Sequence, residues 1–519
     1  MKFFEKKAIL KNTAGIGSLS FLSKILGMIR EKLVIEFLSV GILSDAFKTA
    51  YRMPNSLRKI FAEGALSIAT VPTLVNVMKE EGKEAVNRVM TAAFLVFEGI
   101  LLLLCVFAIW RADLVIGFAA PGFSPLQVRL AVPYLQILMP LIFFLSTSSL
   151  LAGAFQSVRH FFVPAISPAL LNVVFITSLI ICITNAFPPE YLCAFILFGS
   201  FLQFLIHIIT YFKLGFSIRW ADRNAWHHFG KIMLKFLPCL VGASIMEIGL
   251  FVDSQFASFL PPGTITLINL ANRFMGIPLS VLATSLSTVF LPYFSHIIKH
   301  APKRIDFYLL EASKLIFWAT IPTAFMMGFF SEKIFSTIFS YKFSSLQAAE
   351  AGVILTAFLT GLFFFSLNKI LLSIYYAKHH TIIPTIVSIF MVAANILFNY
   401  LLVTKFQAAG LALATSAAFA LQVVALILIL KRWFGIRLYI GPFLNFVYRY
   451  VLQLFVVLSL CYGLYRVLDW LIAKLPETLA YFFLQQIGFW AWVGPLCALA
   501  FFLLYVTRKQ FKIKVYFLD

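Results

Sequence analysis

The residues of this sequence best placed to do chemistry are charged side chains inside long apolar segments. Six of them lie in three segments: Lys24, Arg30, Glu31, Glu247, Asp253 and Arg273. Because a charge at the centre of a membrane helix costs about 2.5 to 3.5 kcal/mol, we expect Arg30 and Arg273 to face a water-filled cavity. A cationic cavity implies an anionic ligand. Arginine forks suit phosphate or pyrophosphate, and lysine adds a point charge.

The composition places these charges in a membrane. Of 519 residues, 61% are hydrophobic and 12% are charged, against about 45 to 50% and about 25% in soluble domains. The net charge of +21 would suggest a nucleic-acid partner in a soluble protein. Here the bilayer explains it, since cytoplasmic loops collect Lys and Arg. We therefore expect an all-α polytopic membrane protein with no nucleic-acid partner.

Apolar runs of about 20 residues, the length that crosses a bilayer, predict about fourteen spans. They lie near 8–37, 60–78, 88–110, 126–157, 162–186, 190–214, 232–260, 265–295, 306–330, 347–377, 381–403, 408–430, 444–472 and 482–507. Most basic residues fall in the even-numbered connections and at both ends of the chain, which predicts that both termini are cytoplasmic. The lysine-rich start, with no clear cleavage site, is expected to be retained.

One odd-numbered connection breaks this charge rule. Between the first two spans lie six charged residues: Asp45, Lys48, Arg52, Arg58, Lys59 and Glu63. We expect Lys32, Glu36 and Lys48 to reach the headgroups or to pair within the bundle. The isolated charges of later spans are likewise expected to be interfacial or paired: Glu98, Glu311, Lys314, Glu350 and Lys369. Asn395 and Asn399 are expected to form helix-to-helix hydrogen bonds.

A shift of 220 residues aligns the chain with itself in two places. It pairs Leu66, Ser67, Pro72 and Lys79 with Leu286, Ser287, Pro292 and Lys299, and Phe155, His160, Pro164 and Ile166 with Tyr375, His380, Pro384 and Ile386. This duplication predicts a first lobe over 1–220, a second over 221–436, and two added spans with a basic tail over 437–519. Six spans per copy put both copies the same way up, as in transporters that bind substrate between two lobes.

Enzyme and metal signatures are missing from the sequence. It contains no HExxH, no phosphate-binding GxxxxGK[ST] loop and no aspartate-rich metal motif. The six cysteines have neither metal-ligand nor CxxC spacing. We expect a transporter without a catalytic site, metal or cofactor.

Several stretches of the sequence resemble the MurJ (MviN) family, the bacterial lipid II flippases of the MOP exporter superfamily. They are 23–31 (SKILGMIRE), 45–47 (DAF), 51–65 (YRMPNSLRKIFAEGA), 161–172 (FFVPAISPALLN), 271–275 (ANRFM) and 409–416 (AGLALATS). The resemblance covers spans one to twelve, and 54–65 is close to diagnostic. Family members often have Arg at Lys24 and acidic residues at Asn272 and Gly276. An ion pair or cation site that depends on those acids is in doubt here, and Glu247 or Asp253 are candidates to replace them.

The resemblance implies that important residues of the family fall on Lys24, Arg30, Asp45, Arg58, Glu63 and Arg273. We expect the substrate pyrophosphate to be held by Lys24, Arg30, Asn55, Arg58 and Arg273. Gating or ion pairing is expected of Glu31, Asp45, Arg52, Glu63, Glu247 and Asp253. The implied function is to flip lipid II, the undecaprenyl-pyrophosphate-linked disaccharide-pentapeptide, from the cytoplasmic to the outer leaflet of the bacterial inner membrane.

The energy source stays open between membrane potential, sodium and protons. Lipid II and membrane lipids are the expected partners, with the cell-wall synthesis machinery as a further one. The alternatives are an exporter of another lipid-linked oligosaccharide, a cationic-drug exporter, a membrane-embedded polyprenyl-phosphate transferase and a scaffold of the cell-wall machinery. The arginine content argues against drug export, and the lack of a catalytic dyad argues against a transferase.

Overall fold

The computed structural model describes residues 26–339 and 342–518, without the side chains of 62–65, 67, 68, 165, 168, 238, 241–243 and 246. Lys24 and the side chain of Glu63 are therefore outside the described residues. Every regular element in the described part of the chain is a helix. Eight helices are long and apolar enough to cross a membrane, or ten if two bent pairs each count as one span. The all-helical polytopic fold is confirmed, and the count of fourteen remains a prediction.

The helix Ile382–Phe434 shows why the number of helices and the number of spans differ. Its 53 residues would extend about 80 Å if straight, far more than the roughly 30 Å of a hydrocarbon core. Gln407 interrupts it with a left-handed backbone (φ 49°, ψ −127°). The break lies between the predicted spans 381–403 and 408–430. As expected, Asn395 joins the two halves, since its Nδ2 donates to Thr415 Oγ1 at 3.4 Å.

The first compact unit comprises Ile29–Thr266. After a helix over 26–38, its helices are Ile42–Arg58, the π-helix Lys59–Leu66, Ser67–Glu80, Gly82–Trp110, Ala112–Ala119, Pro125–Leu138, Leu141–Ser157, Phe162–Thr184, Pro189–Lys213 and Arg223–Ala257. Two apolar cores hold this unit together. One is centred on Tyr134 and Leu138, and the other on Phe97 and Phe155.

The second unit comprises Leu267–Asp519 and the described residues before Ile29. Its helices are Thr264–Pro278, which begins just before the unit, the π-helix Leu279–Thr284, Ser285–His300, the short Pro302–Arg304, Ile305–Phe329, Ser331–Ile338, Ser345–Leu359, Leu362–Ala377, Ile382–Phe434, Ile440–Ala473, Glu477–Gln485 and Phe489–Thr507. One large core runs through it and includes the fully buried rings of Phe290, Tyr375 and Tyr450.

The 220-residue shift found in the sequence also relates local structure. Both copies contain a π-helix, Lys59–Leu66 in one and Leu279–Thr284 in the other. Ser124 and Ser344 each cap a helix by accepting from the backbone N–H of a glutamine three residues on. The left-handed residues Arg159 (φ 62°) and His379 (φ 60°) are matched, and so are Gly215 (φ 74°) and Gly435 (φ 63°). The duplication therefore preserves the places where the backbone turns.

The end of the chain is built into the second unit. Ile513, Val515 and Phe517 are at most 3% exposed, Lys514 is exposed and Tyr516 is half-buried. The backbone N–H of Tyr516 donates to the carboxylate of Glu311 at 2.7 Å. The expected basic tail is thus a segment of turns whose side chains at 513, 515 and 517 are packed inside.

Candidate functional site

Arg30 is held from two directions inside the first unit. Its Nη1 donates to Asn172 Oδ1 at 3.0 Å, and its guanidinium lies 5.0 Å from the ring centre of Phe175. Both partners belong to helix Phe162–Thr184. Arg30 Nε is buried and has no hydrogen-bond partner among the described residues. The guanidinium is therefore oriented while at least one donor is unused, as a site for an oxygen-rich anion requires.

Glu31 and Lys48 form an ion pair between helices 26–38 and Ile42–Arg58. The side chain of Glu31 is 7% exposed and that of Lys48 is 10% exposed. Burial makes either charge costly without the other. Lys48 thus pairs within the bundle, one of its two expected outcomes.

Asp45 is 1% exposed and binds the segment that precedes helix Thr264–Pro278. Its carboxylate accepts from the backbone N–H of Gly263 at 2.6 Å, from the backbone N–H of Thr266 at 2.9 Å and from Thr266 Oγ1 at 2.7 Å. Gly263 has a φ of +98°, which a side chain would strain. Asp45 therefore fixes a turn rather than presenting a free carboxylate.

Arg58 and Asn55 face each other one turn apart on helix Ile42–Arg58. Arg58 Nη2 donates to Asn55 Oδ1 at 3.0 Å, and Arg58 Nε approaches the same oxygen at 3.3 Å. The π-helix Lys59–Leu66 begins directly after Arg58. π-Helical segments are frequent at functional sites. This one follows directly after the turn of helix that carries Asn55 and Arg58.

Glu247 receives two donors from the same stretch. Lys59 Nζ lies 3.0 Å from Glu247 Oε1, and Ser56 Oγ donates to Glu247 Oε2 at 2.9 Å. Arg52 Nη1 donates to the carbonyl of Leu250 at 3.0 Å, and the carboxylates of Asp253 and Glu247 are close enough to act on it electrostatically. Helix Arg223–Ala257 thus brings its two acids to the cations of helix Ile42–Arg58 and the residue after it.

Arg273 belongs to the second unit, on helix Thr264–Pro278. Its guanidinium passes beside Gly27, where an added Cβ would lie 3.6 Å from Arg273 Nη1. Gly27 is in the first described turn of helix 26–38, three residues after Lys24. Within this unit, the structure therefore places Arg273 beside the first described turn of helix 26–38.

Sequence reasoning missed three of these partners. Asn172, Lys59 and Ser56 were not candidate site residues, although Asn172 ends a family-like stretch and Lys59 was noted among the loop charges. Glu311 and Lys314 do pair, at 2.6 Å. The expectation for Glu98 was wrong, because it is 1% exposed and is bonded to the hydroxyl of Ser146 instead of a cation. No periodicity could have found Asn172, since its partner is 142 residues away.

The second unit contains an apolar groove of about 530 Å³. Three helices line it, Ile305–Phe329, Ile440–Ala473 and Phe489–Thr507. Its walls are almost wholly hydrocarbon and aromatic, with Phe325, Leu454, Phe455, Tyr462 and Leu496 among them. Such a groove suits an alkyl or polyprenyl chain.

The part of the chain that the structure describes brings together no group of three His, Cys, Asp or Glu side chains that could hold a metal ion. The polar residues are instead arranged as oriented arginines and carboxylate–cation pairs. Such an arrangement has the chemistry of an anion-binding site whose ion pairs can exchange partners.

The sequence matches the family described as lipid II flippase MurJ over residues 34–481. It is 30% identical over 426 residues to the lipid II flippase MurJ of Burkholderia cenocepacia, covering 80% of this chain and 83% of that protein. It is 28% identical over 421 residues to the probable lipid II flippase MurJ of Buchnera aphidicola, covering 79% of this chain and 81% of the relative.

Solved structures give the same fold. A structure of lipid II flippase MurJ in an inward closed conformation aligns with a TM-score of 0.77 at 24% identity, covering 95% of this chain and 99% of that one. An inward-facing MATE family multidrug transporter of the MOP superfamily aligns at 0.65 and 15% identity, covering 79% and 96%. The family match spans most of the sequence, and we conclude that this chain belongs to the lipid II flippase MurJ family.

Proposed function

We propose that this protein flips lipid II from the cytoplasmic to the outer leaflet of the bacterial inner membrane by alternating access. Moving the sugars and peptide through bare lipid would strip amides and hydroxyls of hydrogen bonds at several kcal/mol each. A hydrated cationic cavity removes that cost. A flippase is a transporter, so family membership agrees with the expectation that the chain is not an enzyme.

The observation that carries this proposal is the state of Arg30. Its guanidinium is fixed by Asn172 and Phe175, and its buried Nε lacks an acceptor among the described residues. A pyrophosphate oxygen is the acceptor we assign to it. Lys24, Asn55, Arg58 and Arg273 complete the proposed substrate-binding set.

Two ion pairs supply the proposed gate. The pairs Glu31–Lys48 and Glu247–Lys59 join helices of the first unit. Moving one helix past another requires these partners to separate, and a buried charge is stable only if a new partner replaces the old one. The anionic substrate offers such a partner to the cations. Arg52, Asp45, Asp253 and Glu63 are proposed to support this exchange.

The apolar groove of the second unit is the proposed path of the polyprenyl chain. Two of its three lining helices, Ile440–Ala473 and Phe489–Thr507, come from the added C-terminal pair. With the lipid chain in this groove, only the polar headgroup has to enter the hydrated cavity. The added helices thereby acquire a function that the repeated spans do not share.

An inside-negative potential favours outward movement of an anion by about 2.3 kcal/mol per charge for each 100 mV. The membrane potential alone is therefore a sufficient energy source for outward transport of the anionic substrate. For a sodium or proton site, the candidates are Glu247, which lies 3.0 Å from Lys59 Nζ, and Asp253, which acts electrostatically on Arg52. Both termini are proposed to be cytoplasmic from the distribution of Lys and Arg, and the cell-wall synthesis machinery is proposed as a neighbour.

Complementation tests the proposal directly. In cells depleted of their own flippase, the wild-type gene is expected to restore growth and outer-leaflet lipid II. Arg30→Ala is expected to lower lipid II transport at least about tenfold, because it removes a charge-assisted hydrogen bond to the substrate. The matched control is Arg111→Ala, since the side chain of Arg111 is 43% exposed and its ion-pair partner Asp113 is 65% exposed.

Two results would contradict the proposal. If the wild-type protein inserts normally but fails to expose lipid II, the substrate is a different lipid-linked oligosaccharide. If Arg30→Ala transports as fast as Arg111→Ala at equal expression, Arg30 does not hold the pyrophosphate.

A further inference from the structure

Lys369 is a charge in the middle of the membrane region that the sequence-based site did not include. It lies on helix Leu362–Ala377, the second half of a bent span that starts at Ser345. Lys378, at the end of this helix, is nine residues away, or about 13 Å along the axis. That is close to half of a hydrocarbon core about 30 Å thick. A four-carbon stem does not cover this distance, so Lys369 cannot reach the headgroups from here.

The ammonium of Lys369 has no ion-pair or hydrogen-bond partner among the described residues. The contacts at this position go to its backbone carbonyl, which accepts from Ser287 Oγ at 3.2 Å and from Ser373 Oγ at 3.1 Å. On the same helix, the buried Ser366 Oγ and Asn368 Oδ1 also lack partners. Of the two outcomes expected for Lys369, pairing is therefore not seen among the described residues.

The burial pattern of the helix shows where Lys369 is accessible. Most residues from Leu362 to Ala377 are buried, whereas Lys369 and Leu372 are half-buried and Tyr376 is 44% exposed. Positions i, i+3 and i+7 share one helix face, so the accessible part of this face runs from Lys369 to Tyr376, while Ser366 and Phe365 before it are buried. An unpaired ammonium facing hydrocarbon would be strongly destabilising. The ammonium at this position is therefore stable only where water or an anion reaches it.

We propose that Lys369 is a phosphate-binding residue of the second unit. This inference deepens the proposed function: it assigns the second unit its own cation for the pyrophosphate of the lipid-linked substrate. A small strongly hydrated ammonium acts as a point charge on a phosphate oxygen and needs no fixed geometry. That property suits a residue which engages the substrate during only part of the transport cycle.

The first test separates a binding role from a structural one. Lys369→Met keeps the length of the side chain and removes the charge. Because a hydrated charge contributes little to the stability of the fold, we expect the Tm of the purified protein to change by less than about 2 °C. The Kd for inorganic pyrophosphate is expected to weaken at least about tenfold. Lys369→Arg, which retains the charge, is expected to keep most of the affinity.

The matched control is Lys405→Met, at an exposed lysine of the second unit, and it should change neither quantity. A larger fall in the Tm of Lys369→Met would show that the amine holds the fold together, and an unchanged Kd would remove Lys369 from the site. Either result overturns the inference. Titrations in phosphatidylcholine nanodiscs with and without phosphatidylglycerol identify the source of the phosphate. Competition by phosphatidylglycerol alone would assign the residue to bilayer lipid and overturn the assignment to substrate.

Failure of the proposed function gives a different pattern. If the wild-type protein binds pyrophosphate through Lys369 but does not transport lipid II, Lys369 is still a phosphate-binding residue. The transported substrate is then a lipid other than lipid II. If the wild-type protein transports lipid II and Lys369→Met transports it at the same rate, the proposed flippase function is retained. The assignment of Lys369 as a phosphate-binding residue is then rejected.

Discussion

The two copies of the repeat share their backbone turns and differ in their chemistry. In the first unit, Lys48 and Lys59 form ion pairs with carboxylates of neighbouring helices. The 220-residue shift places Ile268 and Leu279 at the equivalent positions of the second unit. The second unit instead holds an apolar groove. The difference teaches that the second unit keeps the bends of the first without its carboxylate–cation pairs at these two positions, and that its apolar groove is lined mainly by the two helices outside the repeat.

Neutralising Lys48 is expected to have the largest effect, and it tests the role of the ion pairs of the first unit. Lys48→Met leaves Glu31 buried without its cation, which is expected to lower the free energy of unfolding by about 3 kcal/mol. The double variant Lys48→Met with Glu31→Leu is expected to recover most of the Tm and still fail to transport. Thermal unfolding and transport of lipid II in proteoliposomes measure both quantities. Transport by the double variant would show that the pair is structural and has no part in gating.

Narrowing the apolar groove tests its role as the path of the lipid chain. Ser459 lines the groove and is exposed, so Ser459→Trp fills space with little effect on packing elsewhere. We expect transport of the full-length polyprenyl substrate to fall about tenfold, from an overpacking cost of about 1 to 3 kcal/mol. A short-chain analogue should be transported at the wild-type rate, and Phe502→Trp on the exposed face of the last helix is the control. Equal losses for both substrates would place the lipid chain elsewhere.

The smallest effect on stability is expected from Asp222, in the connection between the sixth and seventh predicted spans. The backbone N–H of Ala225 and the guanidinium of Arg88 hold the pKa of the Asp222 carboxyl below its usual range. The ionised form is therefore favoured by folding. This stabilisation is fully present above the unfolded pKa of about 3.9 and is lost as pH falls through the lower folded value.

Asp222→Asn keeps a good helix N-cap and removes only the charge. Its Tm at neutral pH should fall by less than about 2 °C, because Asp222 and Arg88 are both exposed. The difference from wild type should vanish as the pH falls below the lowered pKa of Asp222 in the folded state. A constant difference across the pH range would mean that the carboxylate charge is not involved.

Much of this architecture could be predicted because its causes are local. Apolar runs of bilayer length gave the helices, and matched Pro and His positions gave the repeat that the left-handed turns at Arg159 and His379 support. Long-range pairing was beyond that reasoning. The contact of Arg30 with Asn172 crosses 142 residues, and that of Lys59 with Glu247 crosses 188. The sequence shows that Lys59 and Lys369 are charged. It does not show that Lys59 pairs with Glu247, or that the ammonium of Lys369 has no partner among the described residues.

The inward packing of Ile513, Val515 and Phe517 has a consequence for biosynthesis. These residues cover Phe290 and the neighbouring core, yet they are translated after every helix they cover. Until Ile513, Val515 and Phe517 have been translated, that end of the second unit leaves aromatic surface uncovered. A variant truncated before Ile513 is therefore expected to keep this surface exposed, the kind of feature that proteases and chaperones recognise.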